Sequence, residues 1–335
     1  GAPSIQQLND PVVLTPNVPV FDFATGQTVN ITRLSGGNPN LTADDRQAFK
    51  IGINFSPFEE KDFSLRSDYT WNRVDGAISS FPTITPELEA ALPDRFVRDA
   101  GGQLLSIDAR ALNYARTERQ ELRSGFNFST AFGTPNAPPA GAPGGGRPGG
   151  GSVTFTTGGP PGGGGRRGGR GGNFQPGQGR VNISVFHTYS FQNEIVIADG
   201  LPVLDLLDGS AIGSRGGQPR NEFDVQGGVF RNGFGTFLNA NWKQGTTVNG
   251  GLGGSDLTFG DFATVNLNMF ADLNQRTSWV EKYPILKGTR VNFGIQNLFD
   301  ERLDVRSSNG DLPLNYQPDF LDPQGRVFRI SLRKV

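Results

Sequence analysis

The sequence predicts an all-β fold in which each strand has one apolar and one polar face. Two windows near the end of the chain, 289–300 and 326–335, alternate strictly between apolar and polar residues. Their apolar phase consists of Val291, Phe293, Ile295, Phe328, Ile330 and Leu332. A third sign is Asn232-Gly233 between two more alternating windows, because Asn-Gly is a strong signal for a tight hairpin turn. Successive side chains of a strand point to opposite faces, so the pattern indicates antiparallel strands.

The same alternation continues through the rest of the chain. Its apolar phase can be followed through windows 49–55, 63–71, 122–128, 181–191, 223–229, 238–242 and 265–273. Together with the two C-terminal windows, this predicts about nine strands. Long connections at 78–116, 195–220, 244–261 and 301–324 alternate with short ones at 59–62, 232–233 and 274–286. Because antiparallel neighbours alternate in direction, the long connections are expected at one end of the sheet.

The charges inside these windows favour a sheet with lipid on one side. They lie on the phase opposite the apolar side chains: Lys50, Arg66, Asp68, Arg123, Asp224, Asp272 and Arg329. A charge that faces lipid at mid-bilayer costs roughly 2–4 kcal/mol, and only about 0–1 kcal/mol near the interface. Lys334 is the exception, and it is placed at a strand end where that cost is small.

The other side chains of the predicted strands agree with a membrane barrel. The polar phase is rich in Asn, Ser, Thr, Gln and Gly, as expected for a wet interior. Aromatic residues lie toward strand ends, as expected for an interfacial girdle: they are Phe55, Trp71, Phe128, Tyr189, Phe223 and Trp242. His187 lies on the same face of its predicted strand as the apolar residues, which predicts a lipid-facing or interfacial histidine.

Composition excludes several classes of function. The net charge of the 335 residues is -1, which gives no global field for nucleic acid. The chain has no Cys and a single His, so thiolate and multi-histidine metal sites are excluded. No Gly-x-Ser-x-Gly, His-Glu-x-x-His or phosphate-loop motif is present. We therefore expect a protein that is not an enzyme, with no catalytic residue, resident metal or cofactor.

Two motifs carry a resemblance to a known family. They are Asn297-Leu-Phe-Asp300 after one predicted strand, and Tyr-Gln-Pro-Asp-Phe-Leu-Asp-Pro-Gln-Gly-Arg at 316–326 before the last. Together they resemble the C-terminal end of TonB-dependent outer-membrane receptors. Such barrels usually end in an aromatic residue, whereas this sequence stops at Val335. A residue after Val335 would lie on the same apolar face of the strand as Phe328. We therefore expect the full protein to have one more residue there, and expect it to be aromatic.

The resemblance implies a fold, a location and partners. The fold is an antiparallel transmembrane β-barrel fragment, about nine strands of a roughly 22-stranded barrel, with long extracellular loops. The location is the outer membrane of a Gram-negative bacterium, in contact with its lipid. The implied partners are an N-terminal plug and barrel portion, from the same precursor or a separate chain, and TonB acting through the plug. The implied function is import of a scarce nutrient, a metal chelate or an oligomeric organic compound.

The expected organisation has four parts. Residues 1–45 form an extracellular loop and strand lead-in, 46–129 are barrel strands with the long outer loop 78–116, and 181–335 are the C-terminal strands. Residues 130–180 form a flexible periplasmic insertion rich in Gly, Pro and Arg, because such a segment buries too little apolar surface to offset its ordering entropy.

The predicted outer loops supply the candidate ligand-binding residues, since scaffolds carry recognition on loops. Guanidinium and phenol groups there suit a carbohydrate, catecholate or peptide: Arg95, Arg98, Arg215, Arg220 and Tyr316. The acidic candidates for ligand or cation contact are Asp205, Asp208 and Asp319. Turn capping by the same carboxylates is the alternative interpretation.

Two alternative functions remain open at this stage. The first is a passive outer-membrane channel or adhesin barrel, which would have no plug. The second is a soluble β-rich RNA-binding protein, because Arg-Gly-Gly-Arg-Gly-Gly at 167–172 resembles an RGG segment. Its position between barrel-like strands makes a nucleic-acid partner the less favoured interpretation.

Overall fold

The computed structural model describes residues 1–58, 62–82, 84–134, 177–198, 200, 202–211, 215–250 and 255–334. Most of the predicted Gly-rich insertion, residues 59–61 of one short turn, and Val335 lie outside these ranges. The four short helices are α1 (Ile5–Asn9), α2 (Pro86–Ala91), α3 (Thr277–Lys282) and α4 (Pro318–Leu321). Within the described ranges, no helix is long and apolar enough to cross a membrane.

Seventeen strands make up most of the described chain. In order they are β1 (Val13–Asp22), β2 (Gln27–Ser35), β3 (Asp45–Phe55), β4 (Asp62–Ser79), β5 (Phe96–Arg98), β6 (Leu104–Asp108), β7 (Leu112–Phe132), β8 (Gly179–Val196), β9 (Val203–Asp205), β10 (Asn221–Arg231), β11 (Phe234–Lys243), β12 (Thr246–Val248), β13 (Leu257–Phe259), β14 (Phe262–Asp272), β15 (Thr289–Gln296), β16 (Val305–Ser307) and β17 (Val327–Lys334).

The predicted antiparallel barrel-type sheet is confirmed. All nine predicted windows belong to one sheet, in the order β17-β15-β14-β11-β10-β8-β7-β4-β3, with β9 added beside β8. Every neighbour along this path is antiparallel and follows in chain order, as in a meander. The described part of the chain is therefore an open sector of an antiparallel barrel wall.

The register keeps the two faces of the sheet chemically distinct. Leu238 is paired with Gly227 on β10 and with Leu267 on β14. The next residue, Asn239, is paired with Gln226 and Asn266. Side chains of a strand alternate between the two faces with a period of two residues. One row across these three strands therefore carries no polar side chain, and every side chain of the adjacent row ends in an amide. We call the apolar side the outer face and the polar side the inner face.

An aromatic chain crosses the outer face at the end where the long loops leave. Its rings are, in order, Tyr69, Phe191, Tyr189, His187, Phe223 and Trp242, with successive centroids 6.4, 4.9, 6.4, 4.4 and 5.7 Å apart. Its imidazole is stacked on Phe223, so His187 belongs to this girdle. Beyond the girdle the outer face becomes polar: Trp71 donates to Glu118 at 2.8 Å and Tyr69 donates to Gln120 at 3.1 Å.

Charges of the inner face are paired, both within a strand and across strands. Asp68 accepts contacts from both Arg66 and Lys50, the latter at 3.5 Å. Arg123 on β7 reaches Asp224 on β10 at 2.8 Å, and its guanidinium lies 4.9 Å from the Phe186 ring centroid. These inner-face positions agree with the sequence prediction, which placed the same charges opposite the apolar phase.

The inner face also holds aromatic rings that the sequence analysis did not single out. Phe237 and Phe270 are stacked there with centroids 5.8 Å apart. Phe270 occupies the space above Gly235, where a Cβ atom would lie 2.2 Å from the ring. A glycine opposite each ring allows it to lie flat against the wall instead of projecting into the interior.

The two edge strands have a partner on one side only among the described residues. β3 is paired with β4, and β17 is paired with β15. The outer-face side chains of both edge strands, such as Ile53 and Ile330, are exposed. In lipid, an unpaired edge would leave backbone groups unsatisfied at several kcal/mol each.

The segments between the long strands fold into two small sheets. One has the order β1-β2-β6-β5 and the other β12-β13-β16. The strands β1 and β2 lie within the segment 1–45, which its turn-rich composition had led us to expect as a loop and strand lead-in. These two strands form a hairpin, and β2 is also paired in parallel with the distant strand β6. The local sequence gives no sign of this pairing.

The two faces of β11 give a direct test of the orientation. Leu238→Arg is expected to destabilise the membrane-inserted protein by roughly 2–4 kcal/mol, because the guanidinium would face lipid near the middle of the apolar band. The matched variant Asn239→Arg changes the adjacent inner-face residue and should have little effect. Urea unfolding in lipid vesicles measures both variants. Equal destabilisation by the two would show that the outer face does not meet lipid.

Candidate functional site

Most fully buried apolar side chains belong to the loop segments. The first loop core is formed by residues from β2, α2, β6, the loop-side ends of β7 and β8, and β9: it includes Ile31, Phe81, Leu88, Leu104, Ile107, Tyr114 and Leu204. The Tyr114 hydroxyl donates to the carbonyl of Ser80 at 3.2 Å. This core packs the loops of this part of the chain together above one end of the sheet.

A partly buried ionic cluster ties the first loop core to the β1–β2 hairpin. Arg98 donates to both oxygens of Asp22, at 2.9 and 3.0 Å, and to both oxygens of Glu89, at 2.6 and 2.7 Å. Burial raises the pKa of the Asp22 carboxyl, but the hydrogen bonds and charge of Arg98 outweigh it and hold that pKa below its ordinary value of 3.8. The same contacts raise the pKa of the Arg98 guanidinium, so Asp22 and Arg98 are both charged at neutral pH.

The second loop core is built from the later loops. Its members are Phe21, Phe23, Ala211, Val248, Leu257, Phe259, Val305 and Tyr316. Tyr316 packs edge-on against Phe259 with the ring centroids 5.4 Å apart. Because Phe21 and Phe23 come from the β1–β2 hairpin, that hairpin contributes to both loop cores.

A cavity of about 290 Å³ lies between the two loop cores. Its walls come from residues 18–21 of β1, from Ile31 and Arg33 of β2, and from Asn315 and Tyr316. Phe81 and Ile107 of the first loop core complete the apolar lining. The hairpin and the last loop are joined beside it, where Thr28 Oγ1 donates to Asn315 Oδ1 at 2.9 Å.

Three polar side chains give the cavity its chemistry. Burial raises the pKa of Tyr316 to about 12, so its hydroxyl is protonated at neutral pH. That hydroxyl has no hydrogen-bond partner among the described residues, although the ring is buried. Arg33 forms no ion pair within the described part of the chain, and the Asn315 amide nitrogen is not used in the bond to Thr28. The cavity therefore offers a phenol, a guanidinium and an amide to an incoming molecule.

The structure places the sequence-predicted arginine candidates of the first loop in structural contacts. The guanidinium N–H groups of Arg98 all donate hydrogen bonds, to Asp22, to Glu89 and to a backbone carbonyl. Arg95 donates to the carbonyls of Asp108 and Arg110 and lies 3.3 Å from the Asp108 carboxylate. Both guanidiniums thus hold the first loop core together and are separate from the cavity.

The acidic candidates lie in turns. Asp205 ends β9, and its carboxylate accepts the backbone N–H of Leu207 at 2.9 Å. The N–H of Asp208 bonds back to the Asp205 carbonyl. Asp319 is fully exposed on α4, with Arg302 4.0 Å away. No group of three or more potential metal-ligating residues was found in the described ranges.

The remaining candidates are divided between the cavity and the surface. Tyr316 lines the cavity, whereas Arg215 lies beside Phe262 and Asp322 in a separate small crevice. The carbonyl of Arg220 accepts from Ser190 N–H at 2.9 Å, next to the girdle. Of the eight predicted residues, the structure brings only Tyr316 into the cavity. Arg33 and Asn315 were missed, and no local motif marks either of them.

Comparisons with known proteins found no matching family model and no matching curated protein. The solved structures that are similar to the chain include the following two. One is the siderophore receptor PirA from Acinetobacter baumannii, with 14% identity and a TM-score of 0.45 over 99% of this chain and 37% of that one. The other is a mutant of the ferric enterobactin receptor PfeA from Pseudomonas aeruginosa in complex with enterobactin, with 14% identity, a TM-score of 0.43, and coverage of 99% and 36%. The chain thus spans little more than a third of either structure.

The ionic cluster generates a pH-dependent prediction. Because the folded-state pKa of Asp22 is lowered, its carboxylate stabilises the fold above pH 3.8, and this contribution is lost as the pH falls through the folded-state pKa. Asp22→Asn should weaken the loop unit by roughly 2–4 kcal/mol at neutral pH, since it leaves part of Arg98 unpaired. Hydrogen exchange of the β1–β2 hairpin, corrected for the intrinsic rates, measures the loss.

The difference between Asp22→Asn and the unsubstituted protein should shrink as the pH falls below that range. Asp319→Asn, which removes an exposed carboxylate, should leave exchange unchanged and serves as the control. A constant difference down to acidic pH would contradict the assigned role of Asp22.

Proposed function

We propose that this chain is the C-terminal barrel portion of a TonB-dependent outer-membrane transporter, and that its folded loops capture the transported molecule. The observation that carries the proposal is the cavity between the two loop cores, where the hydroxyl of the buried Tyr316 has no hydrogen-bond partner among the described residues. It lies in the loops that leave one end of a sheet whose outer face suits lipid and whose inner face suits water. Ligand capture at the loop end of a barrel wall is what a receptor requires.

The folded state of the loops favours a receptor over a passive channel. The two loop cores bury a dozen or more apolar side chains above the sheet. The ionic cluster and the Thr28–Asn315 hydrogen bond connect segments that are distant in the sequence. A passive pore needs an unobstructed entrance, whereas a receptor needs loops with a fixed shape, and these loops have one.

The lining of the cavity suits part of an organic molecule with an anionic or acceptor group. Binding sites for small molecules are commonly about 300–1,000 Å³, and this cavity is about 290 Å³, so it would hold one portion of a larger ligand. Its apolar walls fit a ring or alkyl segment. Arg33 and the Tyr316 hydroxyl would serve acceptor oxygens. A metal chelate or an oligomeric organic compound has both kinds of group.

The remaining partners follow from the open edges of the sheet. Strands that pair with β3 and β17 must come from another part of the protein, and together they would surround a wide interior. In this proposal a plug fills that interior, and TonB draws on inner-membrane energy to move it after the ligand binds. The proposed location is the outer membrane of a Gram-negative bacterium.

Native mass spectrometry of the detergent-extracted protein tests the proposal. We expect this chain to be accompanied by a plug and further strands, and a small molecule to be released from the complex on unfolding. A chain that is extracted without detergent and travels alone would contradict the membrane assignment. A complete barrel with no plug would favour the passive channel.

Tyr316→Phe tests the cavity itself. The substitution keeps the ring in the second loop core and removes a hydroxyl with no partner in the described chain, so thermal stability should not change. Affinity for the co-purified molecule should fall by about 0.5–1.5 kcal/mol, which is roughly threefold to tenfold. Titration calorimetry with that molecule measures the change.

Tyr114→Phe is the matched control for this prediction. It removes a hydroxyl that does have a protein partner, the Ser80 carbonyl, away from the cavity. It should lower the stability of the loops by about 1 kcal/mol and leave the affinity unchanged. If Tyr316→Phe binds as tightly as the unsubstituted protein, the cavity is not the capture site.

A further inference from the structure

The connection between β14 and β15 folds back over the outer face of the sheet. It contains α3, and Trp279 of this helix packs edge-on against Phe234 with the ring centroids 6.1 Å apart. Phe234 is paired with Ala271, and Ala271 with Val291, in an outer-face row. The connection therefore lies against the apolar outer face, at the end of the sheet opposite the folded loops.

Two hydrogen bonds fix this connection to the wall. The Ile285 carbonyl accepts from Thr289 Oγ1 at 3.2 Å and from the ammonium of Lys334. Both donors belong to the outer-face phase of their strands, since Thr289 is paired with Lys334. This accounts for Lys334, the one charge that the sequence placed in the apolar phase. Its ammonium is held at the rim, where it satisfies a backbone carbonyl.

The surface of the connection is apolar and basic at once. Its large apolar side chains are unusually exposed: Trp279 is 48%, Tyr283 53% and Ile285 75% exposed. The cations are interleaved with the rings, because Arg276 lies 4.8 Å from the Phe234 centroid and Lys282 lies 5.4 Å from the Tyr283 centroid. Lys287 and Lys334 add two more positive charges, against the carboxylate of Glu281 and that of Asp272, which precedes the connection and accepts from the Asn274 N–H.

We propose that the segment 273–288 is a lipid-binding anchor that inserts Trp279, Tyr283 and Ile285 at the membrane interface and binds anionic phospholipid headgroups through its lysines and arginine. This inference rests on the proposed membrane function of the outer face. Its occupant is lipid because the patch is continuous with that face through Phe234 and carries the opposite charge to anionic headgroups. Tryptophan and tyrosine beside basic residues are the side chains favoured at membrane interfaces.

The anchor would fix how deeply the barrel wall sits in the membrane. The aromatic chain from Tyr69 to Trp242 marks one boundary of the apolar band. The segment 273–288 marks the other boundary on β11, β14 and β15. A wall held at both rims resists sliding along the membrane normal when force is applied to its interior.

Spin-label accessibility tests the inference, because the chain has no cysteine and each label is unique within it. Ile285→Cys reports on the anchor, Ile330→Cys on the outer face, and Leu314→Cys on the aqueous loops; the three native side chains are 75%, 74% and 63% exposed. The complete protein is reconstituted in phosphatidylcholine nanodiscs with and without phosphatidylglycerol. Collision with oxygen reports lipid, and collision with a nickel chelate reports water.

We expect the label at 285 to resemble the label at 330, and to move deeper when phosphatidylglycerol is present. Lys282→Gln combined with Lys287→Gln should abolish that extra shift without changing the label at 330. A label at 285 that resembles the label at 314, that is shielded from both reagents, or that ignores phosphatidylglycerol overturns the inference. If the label at 330 also meets water, the proposed membrane function fails as well.

Discussion

If the proposed membrane location holds, one requirement governs the rest of this molecule: every backbone group in the membrane must be hydrogen-bonded, with only apolar side chains toward lipid. It accounts for the strict alternation of the nine long strands, for the paired charges on the inner face, and for the amide row of Gln226, Asn239 and Asn266. It also explains why the wall has little core of its own: in the proposed barrel one face would meet lipid and the other water. The buried apolar core must then come from elsewhere.

In this chain it comes from the loops. The two loop cores contain most of the fully buried side chains, and the β1–β2 hairpin contributes to both. The cavity lies where these cores meet, so its shape depends on contacts between segments that are far apart in sequence. Thr28 and Asn315, whose side chains join its two sides, are separated by 287 positions. A ligand held there would contact the first and the last loops at once, which suits a receptor that must sense occupancy.

Sequence patterns anticipated the wall far better than the site. Alternation alone located all nine strands and gave the faces of His187 and Lys50, because those properties depend on a period of two residues. It did not reveal the β1–β2 hairpin, in which β2 is also paired with the distant strand β6. It also did not reveal the inner-face ring of Phe270, which lies over Gly235 of the paired strand. Arg98 looked like a free loop cation, yet its partner Asp22 is 76 residues away. Of the eight loop candidates only Tyr316, named for its aromatic ring on a predicted outer loop, lines the cavity.

The most direct test of the central claim, that this sheet is a sector of a closed membrane barrel, is hydrogen exchange of its two edge strands in the membrane-embedded protein. If β3 and β17 are paired with further strands, their backbone amides should be as well protected as those of β10 and β11 in the middle of the sheet. Fast exchange in both edge strands, beside slow exchange in the central ones, would contradict the barrel and leave an open sheet.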